Sequence, residues 1–472
     1  MHGDFSRVTF DPARRFSAVL SQQGRVQLDA EINEQSAILL HYVRTLAADL
    51  MGPAAYPPAD DGLGGFGVDG YDGDTFTVAP GRMYVDGVLC ECDGTDYWDQ
   101  PDGWLDPGRE SDRLPSEPFL VYLRVWERLV TAWEAPWIRE VALGVDGPDT
   151  TARSRVVWQV CVLPLGSGSP VPDMRSASRY LRDRVRGVFE PRGLLAAATG
   201  RPEDEDSGDV PEPSPGYRGP ENQLYRVEVH RGGTAGTATY KWSRENGSVV
   251  LPVRSVAGAS VELETLGRDD KLGVDTGDVV ELLDDAAVCR GASDRYDEAG
   301  CGRLYTVKNV DHAGFRVELD RDPDHDHHHH DHDHDHDHDH DHESVGRPRR
   351  HPYLRRWDHR TPGREDGSPD ATRSLPVREG RWLPLEDGVQ VRFHSGEGEP
   401  RRYRRGDYWL IPARVLTADV DWPHSRQGEP LRRRPHGVPY HYAPLAYVDP
   451  RGDDFRLVDL RMPLPHRRHD LF

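Results

Sequence analysis

The residues with the clearest chemistry form a single tract, DHDHHHHDHDHDHDHDHDH, from Asp324 to His342. Eleven of its nineteen residues are His and the other eight are Asp. Neutral imidazole is a good ligand for Zn, Ni, Cu and Fe, and carboxylate extends the set to harder ions. From Asp331 the alternation is strict, so an extended chain would place the imidazoles on one face. The candidate metal ligands are His332, His334, His336, His338, His340 and His342.

The same tract has a second interpretation, which is a solvated loop inserted between strands. It is bounded by Asp322-Pro323 and by Gly346-Arg347-Pro348, and it contains no apolar residue that could join a core. In either interpretation no cofactor is required for the fold. A divalent transition metal (Zn, Ni, Cu or Fe) is the only candidate ligand that the tract suggests, and a soluble metal-binding protein is one alternative function.

Catalytic motifs are missing from the sequence. There is no phosphate-binding loop that ends in Gly-Lys-Ser/Thr, no GxSxG elbow and no HExxH. We therefore nominate no catalytic residue and do not expect an enzyme. Acidic pairs such as Asp60-Asp61 could serve a glycosidase, and six tryptophans could line a sugar-binding face: Trp98, Trp104, Trp133, Trp137, Trp409 and Trp422. A particle-associated protein that binds or degrades cell-surface polysaccharide is thus a second alternative.

The composition excludes several other classes. A formal net charge of -22 argues against a broad nucleic-acid interface, because phosphate neutralisation needs clustered Lys and Arg. The sequence has no run of about 18 apolar residues, which is the length needed to span a bilayer. The polar N-terminus also lacks the apolar stretch of a secretory signal. We therefore expect neither a transmembrane segment nor a signal peptide. The five cysteines are too few and too scattered for a disulfide framework.

Residues 1–52 predict an extended arm followed by a helix. Turn residues at Asp11-Pro12 and Gly24 suit a segment that lies against another surface. Asp29 is the predicted helix cap, and Gly52-Pro53 ends the helix. From Leu28, apolar residues follow at three- and four-residue spacings, at Ile32, Leu39, Val43, Leu46 and Leu50. This face either packs on the core of its own domain or docks the chain into a larger assembly.

The rest of the chain predicts antiparallel strands. Asp86-Gly87 lies between two apolar arms, which is a strong hairpin signal. Alternating or continuous apolar runs predict further strands, among them 119–130, 155–163, 223–230 and 279–283. Residues 173–198 look weakly helical. The predicted fold is mainly β, with an N-terminal arm and helix and several antiparallel modules of the sandwich or barrel type.

Composition shifts suggest five regions. They are the arm and helix at 1–52, an antiparallel β domain at 66–200, a small barrel or sandwich at 216–322, the His/Asp-rich loop at 323–346 and a C-terminal β-rich region at 347–472.

Several phrases of the chain resemble a known family. They include GDFSR at 3–7, TFDP at 9–12, QQGRVQLDAE at 22–31, KWSRENGSV at 241–249 and GDYWLIPAR at 406–414. They are similar to a domain-of-unknown-function family that is associated with phage-tail-like gene clusters, in particular contractile injection systems. The resemblance spans nearly the whole chain.

The resemblance implies a structural component of a contractile, phage-tail-like injection particle, at the periphery of the baseplate or at the tail end. Such a protein would be assembled in the bacterial cytoplasm and would be oligomeric in the assembly. Its partners would be other subunits of the particle, with a cell-surface glycan as a further candidate. The residues predicted to anchor it are Phe5, Arg7, Phe10, Phe16, Gln22, Gln23, Arg25 and Asp29. In this hypothesis the aromatic rings bury in a neighbouring subunit, where the arginines pair with acidic groups.

Overall fold

The computed structural model describes residues 1–59, 63–144, 147–166, 173–189, 193–200, 216–290, 302–323, 350–360, 373–396, 401–451 and 455–464. These residues form two compact units. The barrel unit contains Met1–Arg7 and the described residues between 191 and 437. The helix unit contains the described residues between 8 and 190 and between 438 and 472. Within this described part, no helix is both long and apolar enough to cross a lipid bilayer.

The elements follow one another along the chain with these bounds. The helices are α1 (Asp29–Met51), α2 (Met174–Phe189) and α3 (Asp285–Arg290), and short 3-10 turns lie at Pro12–Arg14, Glu110–Asp112, Pro136–Ile138 and Val141–Leu143. The strands are β1 (Ala54–Ala55), β2 (Val68–Asp69), β3 (Thr77–Val78), β4 (Gly81–Val85), β5 (Val88–Cys92), β6 (Thr95–Asp96), β7 (Phe119–Val130), β8 (Arg153–Pro164), β9 (Leu195–Thr199), β10 (Gln223–Arg231), β11 (Thr239–Ser243), β12 (Val250–Ala257), β13 (Ser260–Leu263), β14 (Val279–Leu283), β15 (Arg303–Asp311), β16 (Arg316–Leu319), β17 (Tyr353–Trp357), β18 (Leu375–Pro376), β19 (Trp382–Pro384), β20 (Val389–Phe393), β21 (Tyr408–Arg414), β22 (Asp419–Val420), β23 (His441–Asp449) and β24 (Arg456–Asp459).

The helix unit is built on antiparallel sheets. Its main sheet has the order β24-β23-β7-β8, and β7 and β8 pair along their whole length, from Phe119↔Pro164 to Val130↔Arg153. Smaller sheets have the orders β1-β4-β5 and β2-β3-β6. Their inward side chains form one apolar core with those of β7 and β23, which includes Phe66, Phe76 and Met83. The predicted hairpin is confirmed, because β4 and β5 pair across the Asp86-Gly87 turn, whose φ values are +48° and +79°.

The N-cap of α1 lies one residue earlier than the sequence predicts. Leu28 occupies the N-cap position, and Asp29 is the first helical residue rather than the cap, so that prediction is wrong. The Leu28 amide donates to the Glu31 carboxylate at 3.2 Å, which provides one of the unsatisfied amides at this end with an acceptor. The helix ends at Met51, just before Gly52, as predicted.

The barrel unit combines a closed barrel with two sheets. The barrel has the strand order β12-β13-β16-β15-β14-β17, and apolar side chains such as Leu251, Val261 and Tyr305 fill its core. The sheets have the orders β18-β11-β10-β21-β22 and β19-β20-β9, and they share an aromatic core that includes Tyr225 and Trp409. The predicted fold class, mainly β with an N-terminal arm and helix, is confirmed.

Candidate assembly surface

Helix α1 turns its weaker apolar face toward its own unit. Of its residues only Ala30 and Ile38 are buried, each 1% exposed. Helical geometry places Glu34, His41 and Arg44 near the same side, so this inner face is largely small or polar. A surface helix normally buries its apolar stripe. In α1 the face that packs on the unit is therefore the poorer one.

The apolar stripe of α1 faces outward. Ile32 is 52% exposed, Leu39 is 55%, Val43 and Leu46 are each 61%, and Leu50 is 77%. Ser36 is also exposed and lies on the same stripe. We call the residues Ile32, Ser36, Leu39, Val43, Leu46 and Leu50 the α1 seam. Leu28, Leu40 and Tyr42 widen it, since each is at least 45% exposed. Contiguous exposed apolar surface of this kind marks an interaction site in soluble proteins.

Besides the burial of Ala30 and Ile38, two specific contacts attach α1 to its unit. Arg44 donates to both oxygens of Glu127 on β7, at 2.8 and 2.9 Å, and these hydrogen bonds hold the pKa of Glu127 below its usual range. The second contact is a close approach of the β4–β5 turn. A Cβ atom added to Gly87 would lie 2.1 Å from the carbonyl oxygen of Arg44. Only glycine fits between that turn and the helix.

Part of the arm lies along α1. The Thr9 hydroxyl donates to Glu34 at 2.6 Å, and the Val19 amide donates to the Gln35 side chain at 2.7 Å. The Phe10 ring lies 5.7 Å from the His41 ring. These contacts use the inner side and one flank of the helix. The α1 seam stays uncovered.

Other arm residues are exposed. Phe16 is 56% exposed, Leu20 is 82% and Val26 is 84%. Gln22, Gln23, Arg25 and Asp29, all predicted to contact other subunits, are exposed as well. The arm therefore exposes apolar and hydrogen-bonding groups of its own.

The first residues of the arm lie within the barrel unit. The Asn246 side-chain amide donates to the carbonyl oxygens of Met1 and Gly3, at 3.3 and 2.9 Å. The ring of Phe5 packs against Leu224, Tyr408 and Leu410. Arg7 is half-buried, and the neighbouring Ser6 carbonyl accepts from Arg414 at 3.3 Å. Phe5 thus has a place inside its own chain.

Met1 and His2 adjoin a buried charge cluster. The carboxylate of Glu228 on β10 contacts Arg226 at 2.6 Å, Lys241 at 3.4 Å and the His2 ring at 2.9 Å. Lys241 also bonds to Glu281 at 2.6 Å. Burial alone would raise the pKa of Glu228, but the charges of Arg226 and Lys241 and the hydrogen bond with His2 hold that pKa well below its usual range.

The same surroundings keep the first two residues uncharged at neutral pH. Burial, reinforced by the charge of Arg226, lowers the pKa of the Met1 amino group to about 5 and holds the pKa of His2 well below its usual range. The Met1 nitrogen donates to the Tyr408 hydroxyl at 2.5 Å. Sequence reasoning missed this cluster, because Arg226 and Glu228 look like the solvated face of an alternating strand. No local signal in the sequence identifies their burial.

The described residues provide no evidence for a metal site. Among them, no group of three or more His, Cys, Asp or Glu side chains could hold a metal ion. The six candidate histidines of the tract, His332 to His342, lie outside the described residues, in the connection between β16 and β17. Cys90 and Cys92 are buried, and burial raises the pKa of Cys90 to about 12.

The tryptophans considered for a sugar-binding face differ in their exposure. Trp409 is fully buried and Trp422 is 7% exposed, and both belong to the core of the barrel unit. Trp98 is half-buried and packs edge-on against Tyr97. Trp137, in contrast, is 82% exposed. Trp409 and Trp422 therefore contribute to a core rather than to an exposed binding face.

Comparisons with known proteins identify a family but no reaction. No curated protein and no solved structure matches the chain. One family model matches residues 1–170, 174–295 and 340–456, which is most of the chain and includes the arm, α1 and the buried cluster around Glu228. Most of the His/Asp tract falls in the gap between the second and third matched segments. The chain therefore belongs to DUF6519, a family of unknown function.

Proposed function

We propose that this protein is a structural subunit of a contractile, phage-tail-like particle, at the periphery of the baseplate or at the tail end. It acts by assembly with other subunits, in the cytoplasm of the bacterium that makes the particle. The observation that carries the proposal is the outward-facing α1 seam, together with the exposed outer side of the arm. The choice of particle rests on the resemblance of short sequence motifs to a family associated with phage-tail-like gene clusters.

The exposed apolar area supports assembly because it is costly to leave in water. Each fully exposed Leu, Ile or Val side chain forgoes roughly 1.5–3 kcal/mol that burial would contribute. The seam and its flanks hold seven Leu, Ile or Val side chains and Tyr42, and each of them is between 45% and 77% exposed. A partner surface is the simplest use for a stripe of this size.

The contacts that arm residues make within their own chain guide the choice of anchor residues in this proposal. Phe5 and Phe10 already have contacts within their own chain, so the aromatic ring available to a neighbour is that of Phe16. Leu20 and Val26 accompany it on the outer side of the arm. Arg25 is exposed and can pair with an acidic group there.

The test uses surface substitutions rather than a truncation, since deletion of the arm would also empty the buried cluster around Glu228. The double variant Leu39→Glu/Leu46→Glu places two charges on the seam, where Glu is compatible with a helix and neither residue is part of the core. The matched control is Leu416→Glu, because Leu416 is 98% exposed in the barrel unit, far along the chain from α1.

The readout is co-sedimentation with sheathed particles of megadalton mass from cells that express the whole gene cluster. We expect wild type and Leu416→Glu to pellet with the particles and the double variant to stay in the supernatant as folded protein. Wild-type protein that never sediments with particles contradicts the proposed function. Normal incorporation of the double variant contradicts the role of the seam.

A further inference from the structure

We propose that α1 pairs with α1 of a second copy of this chain, as a parallel two-stranded coiled coil along the α1 seam. The inference rests on the proposed function, because the same face serves both. The spacing of the seam residues is the first observation that supports it. The seam residues 32, 36, 39, 43, 46 and 50 follow one another in alternating steps of four and three. This is the 3.5-residue repeat by which two helices keep one face in contact over several turns.

The residue types fit such a pair. Ile32, Leu39 and Leu46 occupy one core position of the heptad, and Ser36, Val43 and Leu50 occupy the other. Leucine at the first position with a β-branched residue at the second favours two parallel strands, and the Leu39, Val43 and Leu46 layers have this composition. The hydroxyl of Ser36 already donates to the Ile32 carbonyl at 3.2 Å. Burial of that layer therefore leaves no unsatisfied donor.

Charge also favours a second copy as the occupant. The positions beside the seam are Asn33, Leu40 and Ala47 on one side and Gln35, Tyr42 and Asp49 on the other, so a single acidic residue flanks it. Two other charged side chains of α1 already have partners within the chain. Glu34 accepts a hydrogen bond from Thr9, and Arg44 binds Glu127. Two copies meet without like-charge repulsion from Ile32 to Leu50, whereas the two Asp29 carboxylates, one heptad before Ser36, face each other in the exposed first turn of the helix.

A membrane surface is a poorer fit for the same face. Helices that lie on membranes carry Lys and Arg along the polar side, where these residues meet anionic lipids. In α1 the only basic residue besides His41 is Arg44, and Glu127 already neutralises it. A helix with the same uncharged seam remains as the matching partner.

The length of the seam sets the strength of the pair. Helix α1 has 23 residues, which corresponds to about 34 Å. A coiled coil of about three heptads is at the small end of stable interfaces, so pairing depends on concentration in dilute solution and is reinforced when subunits are held together in a particle. Covalent trapping is therefore the appropriate assay.

The experiment compares two cysteine variants of the full chain under mild oxidation. Ser36→Cys places a thiol at the seam, where a parallel pair brings the two copies of residue 36 together. Thr45→Cys is the control, because Thr45 is exposed on the far side of the same helix. We expect the Ser36→Cys dimer to form on the order of tenfold faster than the Thr45→Cys dimer, as a raised effective concentration requires. Adding Leu39→Glu/Leu46→Glu to Ser36→Cys should remove the difference.

Each other outcome has a definite meaning. Equal rates for Ser36→Cys and Thr45→Cys overturn the pairing. A mixture in which Ser36→Cys cross-links to Leu46→Cys faster than to itself overturns the parallel arrangement. If particles incorporate the protein but residue 36 does not cross-link, the inference fails and the proposed function stands. If residue 36 cross-links but wild type never joins particles, the proposed function fails and the pairing stands.

Discussion

Replacing Gly87 with Ala should loosen α1 from its unit. Gly87 lies in the β4–β5 turn with φ of +79°, a conformation that alanine adopts only with strain. An added Cβ would lie 2.1 Å from the carbonyl oxygen of Arg44 and 2.8 Å from its carbonyl and α carbons. These are backbone atoms of the helix, so no side-chain rotation relieves the clash.

The cost follows from two contributions. The left-handed backbone conformation costs a non-glycine residue about 1 kcal/mol. Ordinary contact between heavy atoms begins at about 3.5 Å, so the helix and the turn must separate by more than about 1 Å. That shift lengthens the 2.8 and 2.9 Å bonds between Arg44 and Glu127 and sacrifices up to about 1 kcal/mol for a partly exposed pair. We expect a total loss of about 1–2 kcal/mol in the attachment of α1.

Hydrogen exchange of the α1 amides measures this loss directly, since the helix can open without unfolding the rest of the chain. A loss of about 1–2 kcal/mol corresponds to exchange that is about 5- to 30-fold faster. The control is Gly73→Ala, because Gly73 also has a positive φ, +107°, but no heavy atom within 4 Å of the added Cβ. If the two variants change α1 exchange equally, the close approach of Gly87 and Arg44 does not hold the helix.

Three further predictions concern buried groups. Glu228→Gln removes the carboxylate that neutralises Arg226, so the free energy of unfolding of the barrel unit in urea should fall by about 3–5 kcal/mol. A decrease below about 1 kcal/mol would contradict the role of the cluster. Burial lowers the pKa of His359 to about 4, so the stability that this residue contributes is lost as pH falls from 6.5 toward 4. Burial raises the pKa of Asp407 to about 6, so the stability that this residue contributes is lost as pH rises from 3.8 through 6. His359→Gln should therefore flatten the acid loss of barrel-unit stability and Asp407→Asn should steepen it, and equal slopes for both variants would refute the assignment. Cys90 should react with a thiol reagent near pH 8 only after unfolding, since burial raises its pKa to about 12, and fast reaction of the native protein would show an open site.

Local patterns predicted the individual strands well. The run 119–130 is β7 with the same bounds, 279–283 is β14, and the Asp86-Gly87 hairpin forms as its residue types require. Pairing between distant strands was not predictable. β7 pairs with β23, about 320 residues later, and β17 closes the barrel after the His/Asp tract. An alternating pattern fixes which side chains share a face, but it holds no information on which strand lies alongside.

Burial of charge was equally invisible to the sequence. Alternation along β10 places Tyr225, Val227 and Val229 on one face, and the other face carries Arg226 and Glu228. Such a pattern is typical of a strand with one solvated face. In the structure both faces of β10 are buried, since Met1 and His2 cover the charged side. The residues that bury these charges lie more than 200 positions away in the chain.

Helix α1 shows why an apolar stripe alone does not define an interior. Its periodicity predicts a helix and the position of the stripe, and both are found. The usual next step assigns the stripe to the core, because burial of apolar area is the main favourable contribution to folding. Here the specific contacts lie on the opposite side, where Gly87 admits the helix backbone and Glu127 binds Arg44. These two contacts lie opposite the stripe, which is therefore exposed rather than buried in the core of its unit. In the pairing that we propose, burial of the stripe stabilises the contact with a second copy instead of the fold.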